Sequence, residues 1–517
     1  MASRVPPVAL AKVLFTHDGP DYYMCRLCFS RRKQAHGSGY SNLVKQLNRS
    51  HASSYEEEFH RFQQREGSLD QYCKVDEFAL LVYHWMDWTV GENRELSMCE
   101  KPKTRKYTSL KPLACKTLSK YMFAVEEVVQ ARIKEQLRGK SLGFLIDAWT
   151  EDGTHFVAVI AVTNSAKFLL SFSTLEDEAD MGADSMNQLL DDMLDTYGIE
   201  AKPLCFMVCD HASVNVAIAK KTSVPMIGCA SHRLNLAVQE FLVPYETILD
   251  KLHKLMTKLN SIKNRHHLRE VGGRMPVFRN TTRWSSTFAM INCYMQIREV
   301  IPRLERIDER IIDFVPTPRE NAKLKGLYED LNNLESVNKR LQQDHDVSLS
   351  DVRLLFAHVV EHYPTTGKYL QPTAAVVKFP DFENGVVKIL NDDMRHLTRQ
   401  ERAAVAKLLE PVVETDSASS SATEKPRESF ADAALSRSKT REATPRVDLQ
   451  WIPATSNDVE RLFSRAGLVY SSLRRAMNPA TLETIMFLSF NRTWWDASAV
   501  AQGIEAKKAR KRQRPTL

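Results

Sequence analysis

The stretch Ser141–Thr174, SLGFLIDAWTEDGTHFVAVIAVTNSAKFLLSFST, constrains the fold of this chain more than any other. Three apolar runs rich in β-branched residues, Phe144–Ile146, Phe156–Thr163 and Phe168–Phe172, are separated by the short polar breaks Glu151-Asp152-Gly153 and Asn164-Ser165-Ala166. Such spacing predicts two successive hairpins. Asp147 stands among Phe144, Leu145, Ile146 and Trp149, where a carboxylate has to be paired, protonated or bound to a metal. A helix is expected over Ala183–Thr196, with Met186, Leu189, Leu190, Met193 and Leu194 at helical spacing. A further apolar run, Leu204–Cys209, then ends in Asp210.

Strand, strand, strand, helix, strand, with one acid on the first strand and one at the end of the fourth, resembles the layout of a ribonuclease H-like nuclease core. Phosphodiester cleavage in such a core uses two divalent ions a few ångströms apart. Hard ions such as Mg2+, or Mn2+ in its place, call for carboxylates aimed at one point. Asp147 and Asp210 meet that need if their strands are neighbours. The third acid is sought in Ser456-Asn457-Asp458-Val459-Glu460-Arg461-Leu462-Phe463-Ser464, where Val459, Leu462, Phe463 and Ala466 form an apolar helical stripe beside Glu460.

The total charge of +7 on 517 residues favours a nucleic-acid partner only weakly, because the Lys and Arg are spread along the chain. Local runs say more. Lys507-Lys508-Ala509-Arg510-Lys511-Arg512-Gln513-Arg514 is a basic tail of the nuclear-import or phosphate-contact kind. Nine cysteines, an odd number, argue for reduced thiols with at most one metal site. No apolar run reaches eighteen residues and the N-terminus has no leader pattern, so neither a membrane partner nor secretion is expected.

Near the N-terminus, Cys25-Arg26-Leu27-Cys28 has the spacing of a zinc knuckle, and His51 follows at the end of a predicted helix. The stretch resembles a BED-type zinc finger, in which a Cys-x2-Cys pair is followed by a His-x(3–5)-His helix. Gln46 occupies the place of the first His, so the finger is degenerate. Its fourth Zn2+ ligand would have to be His36 or water. Arg31, Arg32, Lys33, Lys45 and Arg49 are the residues that would contact DNA phosphates.

Five motifs then occur in one order: Asp147-Ala148-Trp149-Thr150, Asp210-His211-Ala212-Ser213-Val214-Asn215, Cys229-Ala230-Ser231-His232-Arg233-Leu234-Asn235-Leu236, Thr282-Arg283-Trp284-Ser285-Ser286 and Glu460-Arg461-Leu462-Phe463-Ser464. That order resembles hAT-family transposases, and Leu473 to Trp495 resembles their C-terminal dimerisation region. The resemblance implies a nuclear DDE enzyme that binds transposon ends and target DNA and acts as a homodimer or larger homo-oligomer. Asp147, Asp210 and Glu460 would be its metal ligands, and His232 would lie near the scissile phosphate. Trp284, with Arg283 beside it, would stack on a flipped base. His211, where the family usually has Asn, is a departure. It keeps open a second reading: a catalytically inactive, domesticated DNA-binding regulator of transposase origin.

The expected fold class is therefore α/β, a ribonuclease H-like mixed sheet interrupted by an all-α insertion, with the finger in front. The expected divisions are finger and connector 1–66, a helical DNA-binding or scaffold region 67–140, first core part 141–240, helical insertion 241–410, disordered linker 411–446, core completion and dimerisation region 447–498, and basic tail 499–517. The apolar excess of the helix after Asn478-Pro479 points to burial against a second subunit.

Overall fold

The computed structural model describes residues 6–17, 22–27, 30–34, 39–51, 55–56, 59, 75–174, 183–199, 204–280, 282–305, 308–343, 347–409, 448–471, 474 and 477–512. The expected linker 411–446 lies outside the described residues, as do Cys28, His36, Gln513 and Arg514. The chain divides into two compact units, one of residues 1–129 and 492–517, the other of residues 130–491.

In the first unit, helix α1 (Pro7–Leu14) precedes a three-stranded antiparallel sheet of β1 (Phe15–His17), β2 (Tyr22–Cys25) and β3 (Arg31–Lys33), closed by α2 (Ser41–Ser50). Leu10, Leu14, Phe15, Leu43 and Leu47 form a core of their own with Cys25. Helices α3 (Glu77–Gly91) and α4 (Pro102–Tyr107) follow, and α5 (Cys115–Leu137) begins in this unit and continues past its boundary at residue 129. No residue of α4 is buried, and its Lys103, Arg105 and Lys106 all face solvent.

The second unit is built on a five-stranded mixed sheet. β4 (Leu142–Glu151), β5 (Thr154–Val162) and β6 (Lys167–Thr174) run antiparallel; the first hairpin turns on Asp152 and Gly153, both at positive φ (50° and 84°), as a two-residue Asp-Gly loop requires. After α6 (Ala183–Tyr197) comes β7 (Leu204–Cys209), parallel to β4; α7 (Ser213–Thr222) then leads to β8 (Met226–Gly228), parallel to β7. The order is β6-β5-β4-β7-β8.

The helical region contains α8 (Ala230–Leu242), α9 (Glu246–Leu259), α10 (Ile262–Glu270), α11 (Trp284–Ile297), α12 (Pro318–Leu341), α13 (Leu349–His362) and α14 (Pro380–Leu390). Ile248, Leu249, Leu252, Leu255, Met256, Leu259 and Ile262 have the apolar spacing of one long amphipathic helix, but the structure divides the run into α9 and α10. Ser261 caps α10 by accepting from the Asn264 N–H, and Ile262 is 91% exposed.

α15 (Asn457–Val469) and α16 (Pro479–Phe490) complete the second unit. α16 lies against the edge strand β6, whose Leu169 exchanges two hydrogen bonds with the Asn491 side chain (3.1 and 2.9 Å) and whose Thr174 N–H donates to Glu483. An exposed strand edge is thereby closed. Leu482, Ile485, Met486, Phe487 and Leu488 are all buried within this chain, so the apolar excess that pointed to a second subunit is accounted for internally. The expected basic tail is likewise corrected. α17 (Ala497–Arg512) is a helix of the first unit, with Val500 and Ile504 buried and Lys507 and Arg510 ion-paired to Glu127.

Candidate active site

Asp147 and Asp210 come together through strand register. β4 and β7 pair in parallel with Leu145 opposite Val208, and each acid lies two residues further along its chain. Side chains two apart on a strand share a face, so both carboxylates follow the same side of the sheet. β4 is fully buried up to Ile146 and then alternates, with Asp147, Trp149 and Glu151 on one side and the exposed Ala148 and Thr150 on the other.

Glu460 is brought to the same end by aromatic packing. Trp149 stacks on Phe156 (5.5 Å) and on Phe463 of α15 (5.9 Å), and Phe172 joins them. Glu460 lies one turn before Phe463, in the first turn of α15, where the helix dipole favours a negative charge. Anchoring Phe463 over Trp149 thus aims Glu460 at the part of β4 that carries Asp147.

The electrostatics record the meeting. Burial pushes the Asp147 carboxyl up to about 7; the charges of Asp210 and Glu460 push the same way, while the Ala148 N–H, which donates to it at 2.9 Å, and Arg283 oppose them. Asp210 Oδ1 accepts from the Ala212 N–H (3.1 Å) and from Asn215 Nδ2 (2.6 Å). Glu460 is 3.3 Å from the guanidinium of Arg283, which is itself 69% exposed. A half-dry carboxylate held among two others, on two neighbouring strands and a helix, is a donor set that suits hard divalent cations.

Asn215 and Asn235, which stand in the sequence motifs without a role there, hold neighbouring residues of the site in place. Asn215 orients Asp210. Asn235, on α8, donates to the Thr282 carbonyl (3.2 Å) and accepts from the Trp284 N–H (3.2 Å), which fixes the turn that carries Arg283.

His232, near the start of α8, lies against His211, with the ring centroids 5.7 Å apart. His211 packs on Gly228, its Nδ1 is buried without a hydrogen-bond partner among the described residues, and burial, then the charges of His232 and Arg233, pulls it down to about 4. It is therefore neutral at pH 7. Trp284 departs from expectation. It is 4% exposed and packs near Phe288, so in this conformation the indole has no open face for a base. Arg283 is the exposed member of the pair.

In the N-terminal finger, Cys25 Sγ is 3.9 Å from His51 Nε2, close to the separation of about 3.6 Å that two ligands of one tetrahedral zinc would have. These two fit a Zn2+ ion. Gln46 does not, because its buried carboxamide accepts from Arg32 Nε (2.7 Å) and bonds Ser30. Arg32, Lys33, Lys45 and Arg49 line one concave surface with Asn42, while Arg31 lies over the Tyr22 ring at 4.1 Å.

The chain is mixed α/β with a mixed sheet, which is consistent with an RNase-like domain. Residues 227–329, from the end of β8 into α12, match the family model of the ZBED1 RNase-like helical domain, which is consistent with a protein derived from a hAT/ZBED-type transposase. No curated protein matches the chain.

Proposed function

We propose that the chain is a hAT-type DNA transposase that cleaves a strand at each end of its element and transfers the freed ends to target DNA, with Asp147, Asp210 and Glu460 holding Mg2+ or Mn2+. The observation that carries this reading is the convergence of three acids, remote in sequence, beside the central parallel strand pair. Bound divalent cations would supply an activated oxygen nucleophile and a counter-charge for the leaving oxygen. The protein's own contributions are distinct. Asn215 and the Ala212 amide hold Asp210 in one rotamer, the Trp149–Phe463 stack sets Glu460, and the exposed guanidinium of Arg283 is available to a phosphate. The basic concavity of the finger suits sequence-independent phosphate contacts. A nuclear site of action, a zinc-bound finger and self-association belong to the same reading.

The test is nicking of DNA that carries the element's inverted repeats, with Mg2+, by wild type, Asp147→Asn and Glu460→Gln. Each substitution is expected to lower the rate by at least about 100-fold, a typical loss for removing one electrostatic catalytic group. Equal nicking by wild type and both variants overturns the enzymatic reading. The second reading, a DNA-binding regulator that does not cut, is favoured by the burial of Trp284 and by the pairing of Glu460 with Arg283. Repeat-specific binding without nicking by any of the three proteins decides for it.

A further inference from the structure

The helical region carries a cluster that the nuclease reading does not use. α13 turns Leu349, Val352, Phe356 and Val359 into the core, and the other side of its last turns bears His358, Glu361 and His362, all exposed. Positions i and i+4 are neighbours on a helix surface, and the two imidazole centroids are 4.3 Å apart. The ligand atoms of the three side chains already lie within 4.8 Å of one another, and Glu361 is 3.8 Å from His358 Nδ1. Small rotations of exposed side chains bring such atoms to the spacing of about 3.3 Å that nitrogen and oxygen ligands of one tetrahedral ion adopt.

Two further observations point to a cation. His362 Nδ1 donates to the His358 carbonyl at 3.0 Å, which fixes the tautomer and leaves Nε2 with its lone pair outward, the arrangement that metal-bound histidines use. The triad also ends the helix, where the macrodipole favours positive charge. A second cluster, His266, His267 and Glu270 on α10, is of a different kind: Glu270 there already pairs with both histidines, at 3.3 and 2.9 Å.

We propose that His358, Glu361 and His362 form a surface site for a borderline divalent transition metal, Zn2+ above all, with the fourth coordination position open. Imidazole nitrogens suit Zn2+ or Cu2+ and not Mg2+, so the site is separate from the carboxylate centre in chemistry as well as in sequence. It stands whether or not the chain cuts DNA.

The test uses the full chain, stripped of metal and titrated with Zn2+ against a chromophoric chelator in excess Mg2+. The variant His358→Asn/His362→Asn is expected to bind one Zn2+ equivalent fewer than wild type. Cu2+ loaded on the wild type is expected to show nitrogen hyperfine structure that the double variant loses. Circular dichroism monitors the fold; should the double variant lose helix, His358→Asn alone, which spares the His362 bond to the backbone, is expected to weaken the same equivalent by about tenfold or more. Unchanged Zn2+ stoichiometry and an unchanged Cu2+ spectrum in a folded variant overturn the proposal.

Discussion

At the scale of single residues, Asp147 couples the site to the stability of the fold. Its carboxyl titrates near 7 in the folded chain, against 3.8 for an ordinary aspartate. A raised carboxyl means that the folded state holds the proton more tightly than the unfolded state. Stability is therefore complete below about pH 4 and falls as the pH rises towards 7, by at most about 4 kcal/mol. Asp147→Asn removes this dependence. The variant should melt with wild type at pH 4 and above it at pH 8, where Mg2+ should raise the midpoint of wild type alone. Coincident pH profiles in thermal unfolding would show that burial beside the other two acids does not raise this carboxyl. His211 behaves in the opposite sense, a base kept neutral by burial against Gly228. That contact leaves no room for a side chain at position 228.

At the scale of elements, β4 and β7 position the acids, and their contact is close. The β4–β7 register shifts between Leu142 and Gly143, and a methyl group at Gly143 would run into the Phe206 ring. Gly143→Ala is expected to destabilise the second unit by about 1–3 kcal/mol, the usual effect of overpacking, read as a lower urea midpoint. An unchanged midpoint would mean that the strand pair yields there. β4 to β7 were legible in the sequence because alternation and apolar runs long enough to show a period mark them. β8 was not, since three residues, Met226–Gly228, carry no period at all. The break between α9 and α10 was hidden by Ile262, which continues the apolar spacing yet points to water. The acids were legible because a carboxylate among apolar residues is costly. Asn215, Asn235 and the Gln46–Arg32 bond were not, because an amide side chain takes its role from whatever stands opposite it in space. The burial of Trp284 and of α16 was hidden for the same reason: periodicity reports how apolar a face is and leaves its partner unspecified.

At the scale of the whole second unit, a buried ion pair ties the sheet to the helical region, with Arg233 inside the stretch that matches the RNase-like helical family and Glu383 beyond it. Arg233 of α8 is 5% exposed and donates to the carbonyls of Tyr369 (3.1 Å), Leu370 and Gln371 (both 3.2 Å) and to Glu383 of α14 (3.4 Å). Glu383 also accepts from the Gly228 amide at the end of β8, so one carboxylate touches both layers. Burial raises the Glu383 carboxyl, and the guanidinium counters it. Removing one member of such a pair strands the other charge, whereas removing both charges can cost little. Arg233→Met is expected to destabilise the protein by about 3–5 kcal/mol. Arg233→Met/Glu383→Gln should recover part of that loss, since a neutral carboxamide can keep the bond from Gly228 without a stranded charge. Equilibrium unfolding of wild type, both single variants and the double variant closes the cycle. A coupling energy near zero would mean that the backbone carbonyls of residues 369–371 hold Arg233 without help from Glu383, and that the charge pair does not join the layers.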